Sequence, residues 1–284
     1  MTSVEHIVTN EKIENRIDTV MSTLKAEGRK ALVPYLPIGY PEASESVSLL
    51  HAIVDGGADM IELGVPFSDP QADGPVIQKA TEIALKKGMN LNKVLDIATE
   101  FRKTNQKTPL VMMTYANPIE AMGWDKYLDR AINAGIDAVL LVDVPPEETF
   151  EIKQPFNNAG IYLINFVAPT TKPARVSLIA EQAQGFVYYV ALKGVTGAAT
   201  LNHDAVNSHV KEVKETLKTP VLVGFGINDG ASAKAVSQEA DGVIVGSALV
   251  KVISNAVESD DSSTLSEKVK TFVNSLRVAL DGDN

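Results

Sequence analysis

Met60-Ile61-Glu62-Leu63-Gly64, running on through Val65-Pro66-Phe67-Ser68-Asp69-Pro70-Gln71-Ala72-Asp73-Gly74-Pro75, passes from an apolar run to a proline-rich loop and then to a helix start. The run is nearly continuous rather than alternating, which suits a parallel strand covered on both faces. Pro75, just after Gly74, is well placed for the first turn of a helix. The stretch is one strand–loop–helix unit.

Outward from it the same unit recurs. Short β-branched or apolar runs lie at Ala31–Leu36, Met60–Leu63, Leu110–Tyr115, Ala138–Val142, Tyr162–Val167, Phe186–Val190, Val221–Phe225 and Gly242–Val245. Between them, helical spacing of apolar residues marks Val47–Val54, Val76–Lys87, Asn90–Arg102, Tyr127–Ala134 and Ala205–Leu217. Eight alternations in 284 residues predict a closed (β/α)8 TIM barrel rather than a long open sheet. The chain is read as a single domain over 1–284, with its barrel core over about 30–254. A helix over about 11–26 carries Ile13, Ile17, Val20, Met21 and Leu24 on one stripe and is expected to pack on the barrel bottom. A C-terminal helix is expected over about 264–280.

Composition removes several classes of function. The net charge is −10, so general nucleic-acid binding is disfavoured. A small phosphorylated ligand stays open, because backbone N–H groups bind phosphate without net charge. There is no cysteine, hence no disulfide, thiolate nucleophile or Cys-based zinc site. His6, His51, His203 and His209 lie away from strand ends, so no metal site is expected. No apolar run approaches membrane-span length and the N-terminal residues are polar, so a cytoplasmic chain is expected.

Barrel active sites gather at the C-terminal ends of strands. Glu62 interrupts an apolar strand there, where a carboxylate is costly unless paired or protonated. It is either a structural ion pair or an acid–base group with a raised pKa. Asp73, on the long loop that follows, is either a second catalytic carboxylate or a helix cap, and Asp69 is mainly a turn former. Glycines follow three successive late strands, at Gly194 and Gly197, at Gly224 and Gly226, and at Gly246 before Ser247. They make either tight turns or a phosphate cradle at a helix N-terminus. Tyr115 and Asp143 end the third and fourth runs and are weaker pocket candidates.

With these residues in view, Ala58 to Gln78 resembles the signature of tryptophan synthase α subunits. The similarity extends through Pro34–Pro41, Met113–Pro118, Asp143–Glu148, Gly194–Gly197 and Gly224–Ile227, covering about Ile13 to Ser254. The resemblance implies retro-aldol cleavage of indole-3-glycerol phosphate to indole and glyceraldehyde 3-phosphate. It implies that Glu62 is the acid–base and that Asp73 accepts the indole N–H. Gly197, Gly226, Gly246 and Ser247 would hold the phosphate, and Tyr35, Ile77, Met113 and Tyr115 would lie near the indole. Asp69 and Asp143 match surfaces that communicate with a partner, and Thr196 matches a contact of the catalytic-loop aspartate. That partner is a pyridoxal-phosphate β subunit in an α2β2 heterotetramer, and the α chain itself needs no cofactor. The chain departs from some members at Ala191-Leu192-Lys193, before the Gly-Val-Thr-Gly loop. Three other readings share parts of this pattern. They are another phosphate-binding barrel such as an isomerase, a non-catalytic regulatory subunit, and a stand-alone lyase that releases free indole.

Overall fold

The computed structural model describes residues 15–191, 202–224, 226–259 and 264–282. The strands are β1 (Ala31–Pro37), β2 (Ile61–Gly64), β3 (Leu110–Thr114), β4 (Ala138–Leu141), β5 (Tyr162–Leu163), β6 (Asn165–Val167), β7 (Val187–Val190), β8 (Val221–Gly224) and β9 (Gly242–Val245). The helices are α1 (Arg16–Glu27), α2 (Ser46–Asp55), α3 (Pro75–Lys86), α4 (Leu91–Arg102), α5 (Ala116–Met122), α6 (Trp124–Asn133), α7 (Phe150–Asn158), α8 (Pro173–Gln182), α9 (His203–Thr216), α10 (Gly230–Val236), α11 (Ser247–Glu258) and α12 (Leu265–Asp281).

The strands pair in the order β5-β4-β3-β2-β1-β9-β8-β7-β6, and every pairing is parallel. Only Ile164 separates β5 from β6, and its N–H donates to the Val139 carbonyl at 2.9 Å. The fifth run is therefore one strand that hands over from β4 to β7, and this handover closes the barrel. The expected (β/α)8 architecture is what the chain adopts.

Strand residues point alternately inward and outward. The inward set includes Ala31, Val33, Val111, Ala138, Leu140, Leu222 and Ile244, and these pack with Ile17, Met21 and Leu24 of α1. The apolar stripe of α1 thus stoppers the floor of the barrel. The helix starts at Asn15, whose side chain accepts from Ile17 N–H and donates to the Asp137 and Gly160 carbonyls. The outward set, with Leu32, Leu36, Leu63, Val139 and Val187, packs against the helices in a second apolar layer.

Three aspartates brace the floor. Asp59, Asp137 and Asp241 each accept a hydrogen bond at 2.8 Å from the backbone N–H of the neighbouring strand, at Leu32, Leu110 and Val221. Each also meets a cation from a helix. Arg277 of α12 reaches Asp59 at 3.0 Å, and Lys214 of α9 reaches Asp241 at 2.8 Å. Asp137 holds Arg102 of α4 at 2.9 Å and Arg16 of α1 at 2.8 Å. Such charge-assisted bonds are stronger than neutral ones, and here they tie outer helices to strand starts. The chemistry is left to the opposite end.

Candidate functional site

A cavity of about 380 Å³ opens at the C-terminal ends of the strands. Tyr35 of β1, Glu62 of β2, Met113 of β3, Phe166 of β6, Tyr188 of β7 and Ile244 of β9 form its walls. Asp73, Ile77, Gly226, Gly246 and Ser247 close it from the loops and helix starts. The structure therefore brings together eight of the thirteen residues singled out from sequence.

Glu62 is only 2% exposed, and its Oε1 has no hydrogen-bond partner among the described residues. No ion pair neutralises it there either, so the structural ion-pair alternative has no support among the described residues. Burial, with a further push from the Asp73 charge, raises its pKa to about 8. Near neutral pH it carries a proton.

Asp73 stands on the loop between β2 and α3. It does not cap α3, because the N-cap is Gly74 and no side chain bonds the first turn. Instead its backbone is fixed, the N–H to the Pro70 carbonyl at 3.1 Å and the carbonyl to Gln78 Nε2 at 2.9 Å. Its carboxyl is free to face the cavity. Burial raises its pKa to about 6, so at pH 7 it is mostly ionised. Two carboxyls from one βα unit thus sit in opposite charge states, which is how one site runs acid and anion roles together.

Tyr115 lies outside the cavity wall and secures the loop that carries Asp73. Its hydroxyl accepts from the Ala72 N–H at 3.0 Å, and its ring stacks on Phe67 with centroids 4.9 Å apart. Asp69 is exposed and makes the turn, accepting from Ser68 Oγ at 2.5 Å while its carbonyl accepts from Gln71 N–H. Asp143, also exposed, accepts from Ala116 N–H at 2.9 Å and joins the loop after β4 to the start of α5. Gly197 and Thr196, together with Leu192 and Lys193, lie outside the described residues.

Across the cavity, Gly226 takes φ +78°, a conformation that favours glycine. Gly246 is the N-cap of α11, where no side chain takes up the free N–H groups. An uncapped helix start of this kind is a ready anion site. Lys251, one turn into α11 on the same face as Ser247, also lines the cavity.

Sequence reasoning missed Tyr188, Phe166 and Lys251. The signal for Lys251 was its spacing of four from Ser247. For Tyr188 it was inward alternation, combined with the glycine beside it. A Cβ at Gly224 would stand 2.2 Å from the Tyr188 hydroxyl, and a Cβ at Gly64 would stand 2.2 Å from that of Tyr35. Gly224, read from sequence as part of the anion set, is required to seat a tyrosine ring.

A parallel (β/α)8 barrel with a protonated carboxyl, an ionised carboxyl and an anion-receptive helix start around one cavity is an acid–base enzyme for a phosphorylated small molecule. The family model described as tryptophan synthase alpha chain matches residues 21–280. The chain is 47% identical over 268 residues to the tryptophan synthase alpha chain of Burkholderia thailandensis, covering 94% of this chain and 97% of that one. It is 49% identical to that of Laribacter hongkongensis over 267 residues, covering 94% and 99%. Among solved structures, tryptophan synthase subunit alpha from Legionella pneumophila superposes with a TM-score of 0.88 at 40% identity, covering 94% and 99%. The chain belongs to the tryptophan synthase alpha chain family, the lyases that cleave indole-3-glycerol phosphate in tryptophan biosynthesis.

Proposed function

We propose that Glu62 carries the proton of this cleavage and that Asp73 holds the charge it creates. Glu62, protonated at the outset, gives its proton to indole C3. The ring becomes a cation at its nitrogen, and the Asp73 carboxylate accepts the N–H and stabilises it. Glu62, now a carboxylate, takes the proton of the side-chain hydroxyl on the carbon attached to C3. That oxygen forms the aldehyde carbonyl, the C–C bond breaks, and its electron pair restores the aromatic ring. Indole and glyceraldehyde 3-phosphate leave, and Glu62 is protonated again. The observation that carries this reading is the buried Glu62 Oε1 with no partner among the described residues, in a carboxyl pushed up to about 8.

The phosphate rests on N–H groups at Gly226, Gly246 and Ser247, with Gly197 as a fourth donor. Tyr35, Ile77 and Met113 border the indole, and Tyr115 supports the catalytic loop from behind. The steps move protons and break one C–C bond without net oxidation, so the chain's own carboxyls suffice and no cofactor is called for. The chain works in the cytoplasm as the α subunit of an α2β2 complex. The β subunit carries pyridoxal phosphate and receives the indole, and the Asp69 and Asp143 loops face it. Among the described residues no helix is long and apolar enough to cross a membrane.

Indole release from indole-3-glycerol phosphate, with and without a β subunit, tests the proposal. Slow release alone and faster release with the partner is expected, and Glu62→Gln should abolish both. No release under either condition would overturn the assignment of these roles.

A further inference from the structure

The Tyr35 side chain crosses the cavity between its two chemically distinct ends. On β1 it is in register with Glu62, and its ring bears on the other side against Gly246, where a Cβ would lie 3.5 Å from Cδ1. Its hydroxyl lies over Gly64, two residues beyond Glu62 on the same strand. The residue is 5% exposed, yet the hydroxyl makes no hydrogen bond to any described residue and Glu62 Oε1 does not engage it. Tyr35 lines the open cavity, so a polar group of a bound ligand can take the proton of this unpaired hydroxyl. Packing alone does not account for the oxygen, since phenylalanine would fill the same ring site and leave more room at Gly64. The structure keeps a glycine at the end of β2 so that this oxygen can be there.

A substrate with its phosphate at Gly246 and its reacting carbon at Glu62 must lay the chain between them along Tyr35. In indole-3-glycerol phosphate that chain is a diol. We propose that the Tyr35 hydroxyl donates a hydrogen bond to a hydroxyl of this three-carbon chain and thereby selects hydroxylated side chains over bare alkyl ones. Burial, with smaller pushes from Asp73 and Glu62, raises the phenol pKa well above its ordinary value, so it stays a donor over the working range. The inference rests on the assignment of this cavity as the site of cleavage. Tyr35 thus has two parts, a ring that borders the ligand and an oxygen that reads it.

Tyr35→Phe in the full chain removes the oxygen and keeps the ring. Two quantities are read, kcat/KM for indole-3-glycerol phosphate and the inhibition constant of 3-(indol-3-yl)propyl phosphate, which has ring and phosphate but no side-chain hydroxyl. A fall of about 2- to 12-fold in kcat/KM is expected, the range of one net hydrogen bond, with inhibition unchanged. An unchanged kcat/KM, or an equal weakening of both, would overturn the proposal, because a packing role does not distinguish the two ligands. Glu62→Gln is measured alongside. If it is inactive while Tyr35→Phe matches the parent, this inference alone fails; if it turns over normally, the site assignment fails and the inference with it.

Discussion

Glu62→Gln keeps the shape of a buried side chain and removes its titration, so it exposes the energetic tension in the site. In the folded chain the carboxyl is raised from 4.5 to about 8 by burial and by Asp73. The unfolded chain holds the ordinary value. Between the two, the folded state keeps a proton that the unfolded state has released, so stability falls as pH rises. The contribution is complete below pH 4.5 and is lost as pH passes about 8. At about 1.4 kcal/mol per pH unit, the upper limit of the loss is near 5 kcal/mol. Water entering the open cavity relieves part of it, leaving about 2–4 kcal/mol. Glutamine has no such dependence. The variant should match the parent near pH 5 and exceed it at pH 9, with a melting midpoint roughly 3–7 °C higher. Circular-dichroism melts of both proteins from pH 5 to 9 make the measurement, with indole release at pH 7 expected to fall by about 10²–10⁴-fold. Parallel melting curves across the whole range would refute the reasoning, since they would mean that Glu62 is not held protonated by its surroundings.

The parent's kcat/KM should follow a bell with limbs near 6 and 8, since Asp73 must be ionised and Glu62 protonated. In Asp73→Asn the acid limb disappears, the alkaline limb moves down, and kcat falls more than KM rises; a profile like the parent's would contradict the coupling. Asp137→Ala strands the Arg102 guanidinium and should cost about 3–5 kcal/mol in urea unfolding, whereas a loss below about 1 kcal/mol would show that water replaces the carboxylate. Tyr115→Phe removes the acceptor for Ala72 N–H and should weaken kcat/KM by about 2- to 12-fold at an unchanged melting midpoint. Unaltered kinetics would mean that the loop is held by other contacts.

The barrel was legible because parallel strands buried on both faces leave a distinctive trace, and all eight apolar runs correspond to strand segments. The break at Ile164 was not visible, since pairing first with one neighbour and then with the other needs no change of residue type. The helix Arg16–Glu27 begins later than the predicted start near residue 11, at the Asn15 cap. Asp59, Asp137 and Asp241 escaped notice because a polar residue just before a strand reads as a loop residue until its cation arrives from a distant helix. Glu62 was legible for the opposite reason, as a charge inside an apolar strand. Tyr35 and Tyr115 look equivalent in sequence, each at or near a strand end. Side-chain direction separates them, one into the cavity and the other behind the loop at Ala72.

The pairing of β1 with both β2 and β9 joins early and late parts of the chain. Both carboxyls come from the β2–α3 unit, whereas the anion-receptive glycines follow β8 and β9. The anion site is therefore incomplete until Gly246 and Ser247, which follow β9, have been made. On the ribosome, the growing polypeptide is barred from chemistry until its last strand has emerged and found its first. Chain order thus delays turnover, and with it any release of a diffusible apolar product, until the barrel is whole.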